Sequence, residues 1–221
     1  MKNNINILFE DSHIIVCEKP HGTATQSRQI GAPDMVSILK NHIRQTSKTP
    51  NPYLAVIHRL DQPVRGILVF AKTPFAAKEL NKQLTGKNFG KYYRALVAKN
   101  PDSAETVLEN HLVKDAKSNS SRVCDANTPD AKHARLSYKV ISEGALLFEK
   151  NHPEETELDI VLDTGRHHQI RVQLSHCGIP IVGDVKYNPQ KDSSRRFICL
   201  CAYRLEFEHP KTHKKMCFSL L

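Results

Sequence analysis

Two apolar runs, residues 54–57 and 66–71, enclose the segment His58-Arg59-Leu60-Asp61-Gln62-Pro63-Val64-Arg65. Runs this short, rich in β-branched residues and bounded by turn-forming residues, read as buried strands. The chain between them must leave the core after Leu60 and return to it by Gly66. A carboxylate in such a loop is held on a rigid scaffold and still meets a ligand, and Asp61 stands there. His58, Arg59 and Arg65 surround it with positive charge, so an anionic partner is drawn to the same few residues. The plainer reading, an aspartate paired with an adjacent arginine in a loop, stands beside this one on the residues alone.

The whole chain has the same bias. Among its 221 residues, 32 are Lys or Arg and 23 are Asp or Glu, a net charge of +9. That balance points to a polyanion, with nucleic acid the first candidate. A hydrophobic share of 39% against 25% charged residues excludes a disordered chain and suits one large domain or two small ones. Residues 1–6 lead directly into a strand-like pattern, and no apolar run approaches the length of a membrane span. The six cysteines, at 17, 124, 177, 199, 201 and 217, form no C-x-x-C pair. They are expected as reduced thiols of a cytoplasmic protein, with Cys199 and Cys201 packed on one face of a strand.

Short strands are predicted at 5–9 and 13–17, joined by Glu10-Asp11-Ser12. Asp34 is placed to cap a helix to about Gln45, with Val36, Leu39 and Ile43 on its inner face. Thr73-Pro74 starts a second helix with Ala77, Leu80 and Leu84 in a stripe, ending at Gly86. Strands follow at 92–98 and 105–113. Residues 114–133 are polar and read as either a long surface loop or a β-arm. Leu136, Tyr138 and Val140 alternate, as do Leu158, Ile160 and Leu162, the half-buried strand pattern. A helix over about 168–177 and strands near 197–207 and 214–220 complete the chain. Strands outnumber helices and do not alternate with them, which predicts an α+β fold with a largely antiparallel sheet.

A second dense site is Thr164-Gly165-Arg166-His167-His168-Gln169-Ile170-Arg171, which opens the helix whose buried stripe is read as Ile170, Leu174 and Cys177. Arginine and backbone N–H groups at a helix N-terminus suit a phosphate; surface cations on a solvated helix face are the plainer reading. Arg171 fits that plainer reading poorly. It lies between core positions, so its guanidinium is expected to be partly buried and to require a carboxylate. Zinc is disfavoured: His168 and His176 are too far apart on one helix, and no H-E-x-x-H pattern occurs. No Gly-rich phosphate loop or G-x-S-x-G elbow is present, so NTPase, Rossmann and α/β-hydrolase readings lack their signatures.

Together these segments resemble the RluA-type family of RNA pseudouridine synthases. Glu18-Lys19-Pro20-His21-Gly22 resembles the opening K-P-x-G motif, and His58 to Asp61 the H-R-L-D segment. Lys91-Tyr92-Tyr93-Arg94 is similar to the K-x-Y segment, which places the family tyrosine at Tyr93. Gly165 to Leu174 resembles the G-R-x-H-Q-I-R block, and Gly178-Ile179-Pro180-Ile181-Val182-Gly183-Asp184 the G-x-P-I-x-G-D block. Leu205-Glu206-Phe207-Glu208-His209-Pro210 matches the terminal L-x-F-x-H-P. The chain departs from the pattern at Arg65, where serine is usual, and at His167, where threonine is usual.

The resemblance implies a pseudouridine synthase fold, α+β with a mixed, mostly antiparallel central sheet flanked by a few helices and loops. It implies one catalytic domain over 1–221 without the S4-type RNA-binding module of many family members. The implied activity is isomerisation of uridine to pseudouridine in ribosomal or transfer RNA, with base flipping and with neither cofactor nor metal. Asp61 is the implied catalytic nucleophile or base, acting at C1′, at C6 or on a sugar proton. Arg171 is implied to pair with it, and Tyr93 to stack on the uracil and take the C5 proton. Arg59, Arg166 and His168 are implied to hold the RNA, with Leu174 walling the pocket; Lys82, Lys87, Lys91 and Arg94 are read as an extension of the basic track or, more plainly for any single one, as a solvated face. The protein is expected to be a cytoplasmic monomer. Two rival classes remain open: a non-catalytic RNA-binding protein on the same fold, and a hydrolase using Asp61 with His58 or His168.

Overall fold

The alternating runs at the N-terminus fold as β1 (Ile7–Glu10) and β2 (Ile14–Lys19), an antiparallel pair. The computed structural model describes residues 5–27, 31–86, 88–142, 144–188 and 195–221. Lys87 of the expected basic track lies outside them. Asp11 makes the β1–β2 turn: its Oδ1 accepts the amides of His13 and Ile14 at 2.8 Å each. Its Oδ2 meets His209 Nε2 at 2.9 Å, so the terminal His-Pro block ties the end of the chain to this first turn.

The chain divides into two units, Met1–Lys91 with Ala202–Leu220, and Tyr92–Cys201 with Leu221. In the first, β2 pairs antiparallel with β4 (Arg65–Ala71), and β3 (Ala55–Val56) also pairs with β4. β10 (Leu200–Glu208) pairs with β11 (Lys215–Ser219). Ile14, Ile15, Val16, Leu68, Val69 and Phe70 are wholly buried, as expected of strands covered on both faces, where apolar runs replace alternation. Gly66, the second residue of β4, has φ +150° and lies against β10. A Cβ there would lie 2.5 Å from the Ala202 carbonyl oxygen, so only glycine allows the approach.

Helix α1 (Met35–Ser47) begins at Asp34, whose side chain accepts the Ser37 amide at 2.7 Å in a full capping box. Its buried stripe is Met35, Leu39 and Ile43 rather than one including Val36. The Met35 amide donates to Ala24 O at 2.9 Å, and this turns the first helical residue inward. Helix α2 (Pro74–Thr85) starts on the Thr73 cap as predicted. Gly86 ends it at φ −84°, so the left-handed terminus glycine would permit is not used.

The chain enters the second unit within β5 (Gly90–Val97). There β5, β9 (Thr156–Leu162), β8 (Lys132–Val140), β6 (Glu105–Asp115) and β7 (Ser120–Cys124) pair antiparallel in that order. Of the two readings of 114–133, the β-arm is correct: β7 folds back on β6. Asp115 holds the turn, accepting the Lys117 amide at 2.8 Å and the Ser118 hydroxyl at 2.7 Å.

Helix α3 (Gln169–His176) is buried continuously from Gln169 to Leu174, while Cys177 is exposed. A stripe extending to Cys177 therefore does not form. A helix buried nearly all round needs partners for its polar side chains, and these exist except for the buried Gln173 Oε1, which has none among the described residues. Gln169 accepts from Thr164 Oγ1 at 2.7 Å, Gln173 donates to Asn110 Oδ1 at 2.8 Å, and Arg171 pairs with Asp184. Cys199 and Cys201 are buried as expected.

Candidate active site

In the first unit the His58–Asp61 segment follows β3. Ile57 and Leu60 are buried and anchor it, Asp61 is half-buried and Arg59 is exposed. The backbone on either side of Asp61 is held by the segment after β2. Thr25 Oγ1 bridges Leu60, accepting its amide at 3.2 Å and donating to its carbonyl at 3.1 Å. The Gly22 amide donates to Gln62 O at 3.0 Å, and Gln62 Nε2 returns to Gly22 O at 2.9 Å. His21 Nδ1 lies 2.8 Å from Pro63 O. The K-P-x-G segment is thus a cradle for the aspartate loop.

Lys19 completes the cradle. It has no exposed surface, and its Nζ donates to Thr23 O at 2.7 Å, Gln62 O at 2.9 Å and Pro20 O at 3.1 Å. Burial lowers its pKa to about 8, and the Asp61 charge opposes that fall. A buried ammonium thus lies within electrostatic reach of the candidate carboxylate. Neighbouring Glu18 pairs with Arg65, so the arginine found where the family has serine is engaged by a carboxylate of the adjacent strand.

His58 is no general base. Burial, and then the charge of Lys91, push its pKa down to about 3. Its Nε2 accepts the Val69 amide at 3.4 Å, and its ring stands edge-on to Phe89 at 5.3 Å. A neutral imidazole tied to the backbone of β4 is structural, and this removes the His58 form of the hydrolase reading.

The second unit carries the other predicted residues apart from Lys82 and Lys91, which lie in the first. Tyr93 is buried on β5 opposite Ile160, whereas its neighbour Tyr92 is half-buried. Arg94 pairs with the fully buried Glu157 at 3.2 Å, a sheet contact rather than part of an open basic track. Arg166 is exposed, with Nε donating to His133 O at 2.7 Å. Leu174 has no exposed surface. His168 occupies the N-cap position of α3 at φ +55°, makes no capping bond, and is 9% exposed. Its Nδ1 lies 2.7 Å from Tyr187 Oη, and its ring stacks on His167 at 3.7 Å. A non-glycine residue held in this region marks a backbone the surroundings over-determine.

Arg171 is 5% exposed and forms a two-pronged pair with Asp184: Nε donates to Oδ2 and Nη2 to Oδ1, each at 2.8 Å. The expectation of a buried guanidinium with a carboxylate partner is met by Asp184. The pair uses one edge of the guanidinium and two of its five donors.

Lys19, Asp184 and Tyr187 gain roles that sequence reasoning did not assign. Lys19 and Asp184 stand inside recognised motif blocks, and a lysine at the end of the apolar run 14–17 is the only local signal for Lys19. Nothing local marks Tyr187. Among the described residues no group of three or more His, Cys, Asp or Glu side chains is placed to hold a metal. No helix among them is long and apolar enough to cross a membrane.

A family model described as RNA pseudouridylate synthase matches residues 13–176. The chain is 30% identical over 219 residues to the ribosomal large subunit pseudouridine synthase C of Vibrio vulnificus, covering 95% of this chain and 63% of that protein. It is 32% identical over 218 residues to the ribosomal large subunit pseudouridine synthase D of Nitrosomonas europaea, covering 93% and 58%. The chain therefore spans less than two thirds of these relatives. Among solved structures, human RNA Pseudouridylate Synthase Domain Containing 4 is similar with a TM-score of 0.77 at 19% identity, over 98% of this chain and 88% of that one. Human RNA Pseudouridylate Synthase Domain Containing 1 gives 0.76 at 18%, over 100% and 84%. At such identities the likeness concerns the fold, and the expected α+β synthase architecture is borne out.

Proposed function

Because the chain belongs to the RNA pseudouridylate synthase family, we propose that it isomerises uridine to pseudouridine in a structured RNA, ribosomal or transfer RNA. The ribosomal class is favoured by the names of the two relatives above. The C1′–N1 bond breaks, the uracil turns, and C1′ bonds to C5. The C5 proton leaves and N1 ends protonated, so atoms and charge balance with no co-reactant.

Asp61 supplies the anion, whether at C1′, at C6 or on a sugar proton. The observation that carries this assignment is the cradle, which fixes the backbone on both sides of Asp61 and buries a lysine ammonium within reach of its charge. A nucleophile held this way loses little freedom on reaction. Tyr93 stacks on the uracil and takes the C5 proton late in the reaction. Arg171 orients the Asp61 carboxylate as a guanidinium held in place by Asp184. The target base is flipped out, at a cost of about a few kcal/mol. Arg59, exposed beside Asp61, fills the gap or holds a phosphate; Arg166 and His168 hold backbone, and Leu174 supports the pocket wall. The protein works as a cytoplasmic monomer with a single catalytic domain.

The test is nucleoside analysis of unmodified ribosomal and transfer RNA transcripts incubated with the purified protein and with Asp61→Asn. Pseudouridine formed by wild type and absent with Asp61→Asn, at RNA affinity within severalfold, is the expected result. Turnover by Asp61→Asn would remove Asp61 as the reacting group. Tight RNA binding without product from wild type would leave the non-catalytic binding protein.

A further inference from the structure

The turn after Asp184 touches both Arg171 and the β6–β7 arm, which α3 also meets through Gln173 and Asn110. On one side, Asp184 grips Arg171, and its Oδ1 also accepts the amides of Lys186 at 2.9 Å and Tyr187 at 3.2 Å. On the other, the next residues hold the β6–β7 arm. Lys186 Nζ donates to the carbonyls of Ser118 at 3.0 Å and Asn119 at 3.3 Å, at the arm's turn. Tyr187 Oη accepts the Ser121 amide at 2.8 Å on β7 and lies 2.7 Å from His168 Nδ1. The Tyr187 ring lies under the Arg171 guanidinium, 5.0 Å from its carbon, a cation–π distance. Ser175 Oγ donates to Tyr187 O at 2.6 Å, which fixes the turn to α3.

His167 adds a second latch on the same arm residue. Its Nδ1 lies 2.9 Å from Ser121 Oγ while its ring stacks on His168. Ser121 is 7% exposed and is held through both its amide and its hydroxyl. A threonine at 167 has no ring to stack on His168, so this form of the latch belongs to the histidine.

We propose that Tyr187 is a positioning residue that couples the β6–β7 arm to Arg171, its hydroxyl fixing the arm and its ring fixing the guanidinium. RNA seated against the arm thereby steadies the group that orients Asp61, an inference that rests on the function proposed above. The two halves of the side chain separate the two effects. Tyr187→Phe removes the hydroxyl and keeps the ring; Tyr187→Leu removes both.

The experiment compares wild type, Tyr187→Phe and Tyr187→Leu by two sets of readouts. The first set needs no activity: amide exchange at Ser121 and the chemical shift of the Arg171 Nε–H. Tyr187→Phe is expected to speed Ser121 exchange at least tenfold and to leave the Arg171 signal in place. Tyr187→Leu is expected to change both. The second set is kinetic, on the transcript that wild type modifies. Tyr187→Phe should raise KM about tenfold and lower kcat less than threefold, whereas Tyr187→Leu should also lower kcat more than tenfold. A purely structural tyrosine would instead lower the melting temperature alike in both, with no split between KM and kcat. Unchanged Ser121 exchange in Tyr187→Phe, or equal kcat losses in the two variants, overturns the coupling. If wild type forms no pseudouridine, the functional reading has failed, and Ser121 exchange with the Arg171 signal still decides whether the turn couples arm and guanidinium.

Discussion

Arg171 and Asp184 lie thirteen residues apart in sequence and meet through two parallel hydrogen bonds of 2.8 Å, with 5% and 1% of their side chains exposed. Breaking a buried pair from one side leaves an uncompensated charge, which costs about 3–5 kcal/mol. Asp184→Ala should destabilise by that amount and drop the Lys186 and Tyr187 amides from their acceptor as well. The midpoint of urea unfolding measures it, and a change under about 1 kcal/mol would show the pair to be replaceable by water.

Lys19 makes a second prediction, on alkaline pH. Its folded pKa of about 8 lies below the ordinary 10.5. Between those values the unfolded chain keeps a proton that the folded chain releases, so this group's contribution favours folding more as pH rises from 8 to 10.5. Lys19→Met should abolish that rise. It should also cost about 2–4 kcal/mol at pH 7.5, because carbonyls of Pro20, Thr23 and Gln62 lose their buried donor. Unfolding curves at pH 7.5, 9 and 10 check both parts.

His58 predicts the acid side. Its pKa falls from 6.5 unfolded to about 3 folded, so below pH 6.5 the unfolded chain binds a proton that the folded chain refuses. Its contribution is neutral above pH 6.5 and increasingly destabilising as pH falls toward 3. His58→Gln, whose carboxamide oxygen can accept the Val69 amide, should flatten the melting temperature between pH 6.5 and 4.5. An unchanged slope would assign the acid sensitivity to other groups. His21 is the candidate, since burial also holds it below its ordinary 6.5, whereas Glu10 and Asp11, with ordinary values of 4.5 and 3.8, act only below this window.

Gly66 tests the close approach of β4 and β10. A methyl group there meets the Ala202 backbone at 2.5 Å with φ at +150°, so both space and conformation oppose it. Gly66→Ala should destabilise by about 2–4 kcal/mol, seen as a lower unfolding midpoint. A loss under about 0.5 kcal/mol would mean that the strands part easily here.

The sequence alone determined what depends on neighbours in the chain. The Asp34 and Thr73 caps, the buried run of β4, the alternation of β8 and β9 and the two charged constellations were legible because capping, pleating and turn chemistry act over a few residues. It also determined that Arg171 would be buried with a carboxylate, since a cation between core positions has no other stable state. Which carboxylate answers it was decided only by the tertiary structure, as was the cradle in which Lys19 meets Gln62, forty-three residues on. So were the structural duty of His58 and the place of Tyr187 against the arm. These contacts join segments with no shared period or spacing, and their energies depend on burial that exists only after the strands have paired. The all-round burial of α3, which left Cys177 outside, follows the same rule: a helix stripe can be read from sequence, but the number of faces that meet protein is set by the packing around it.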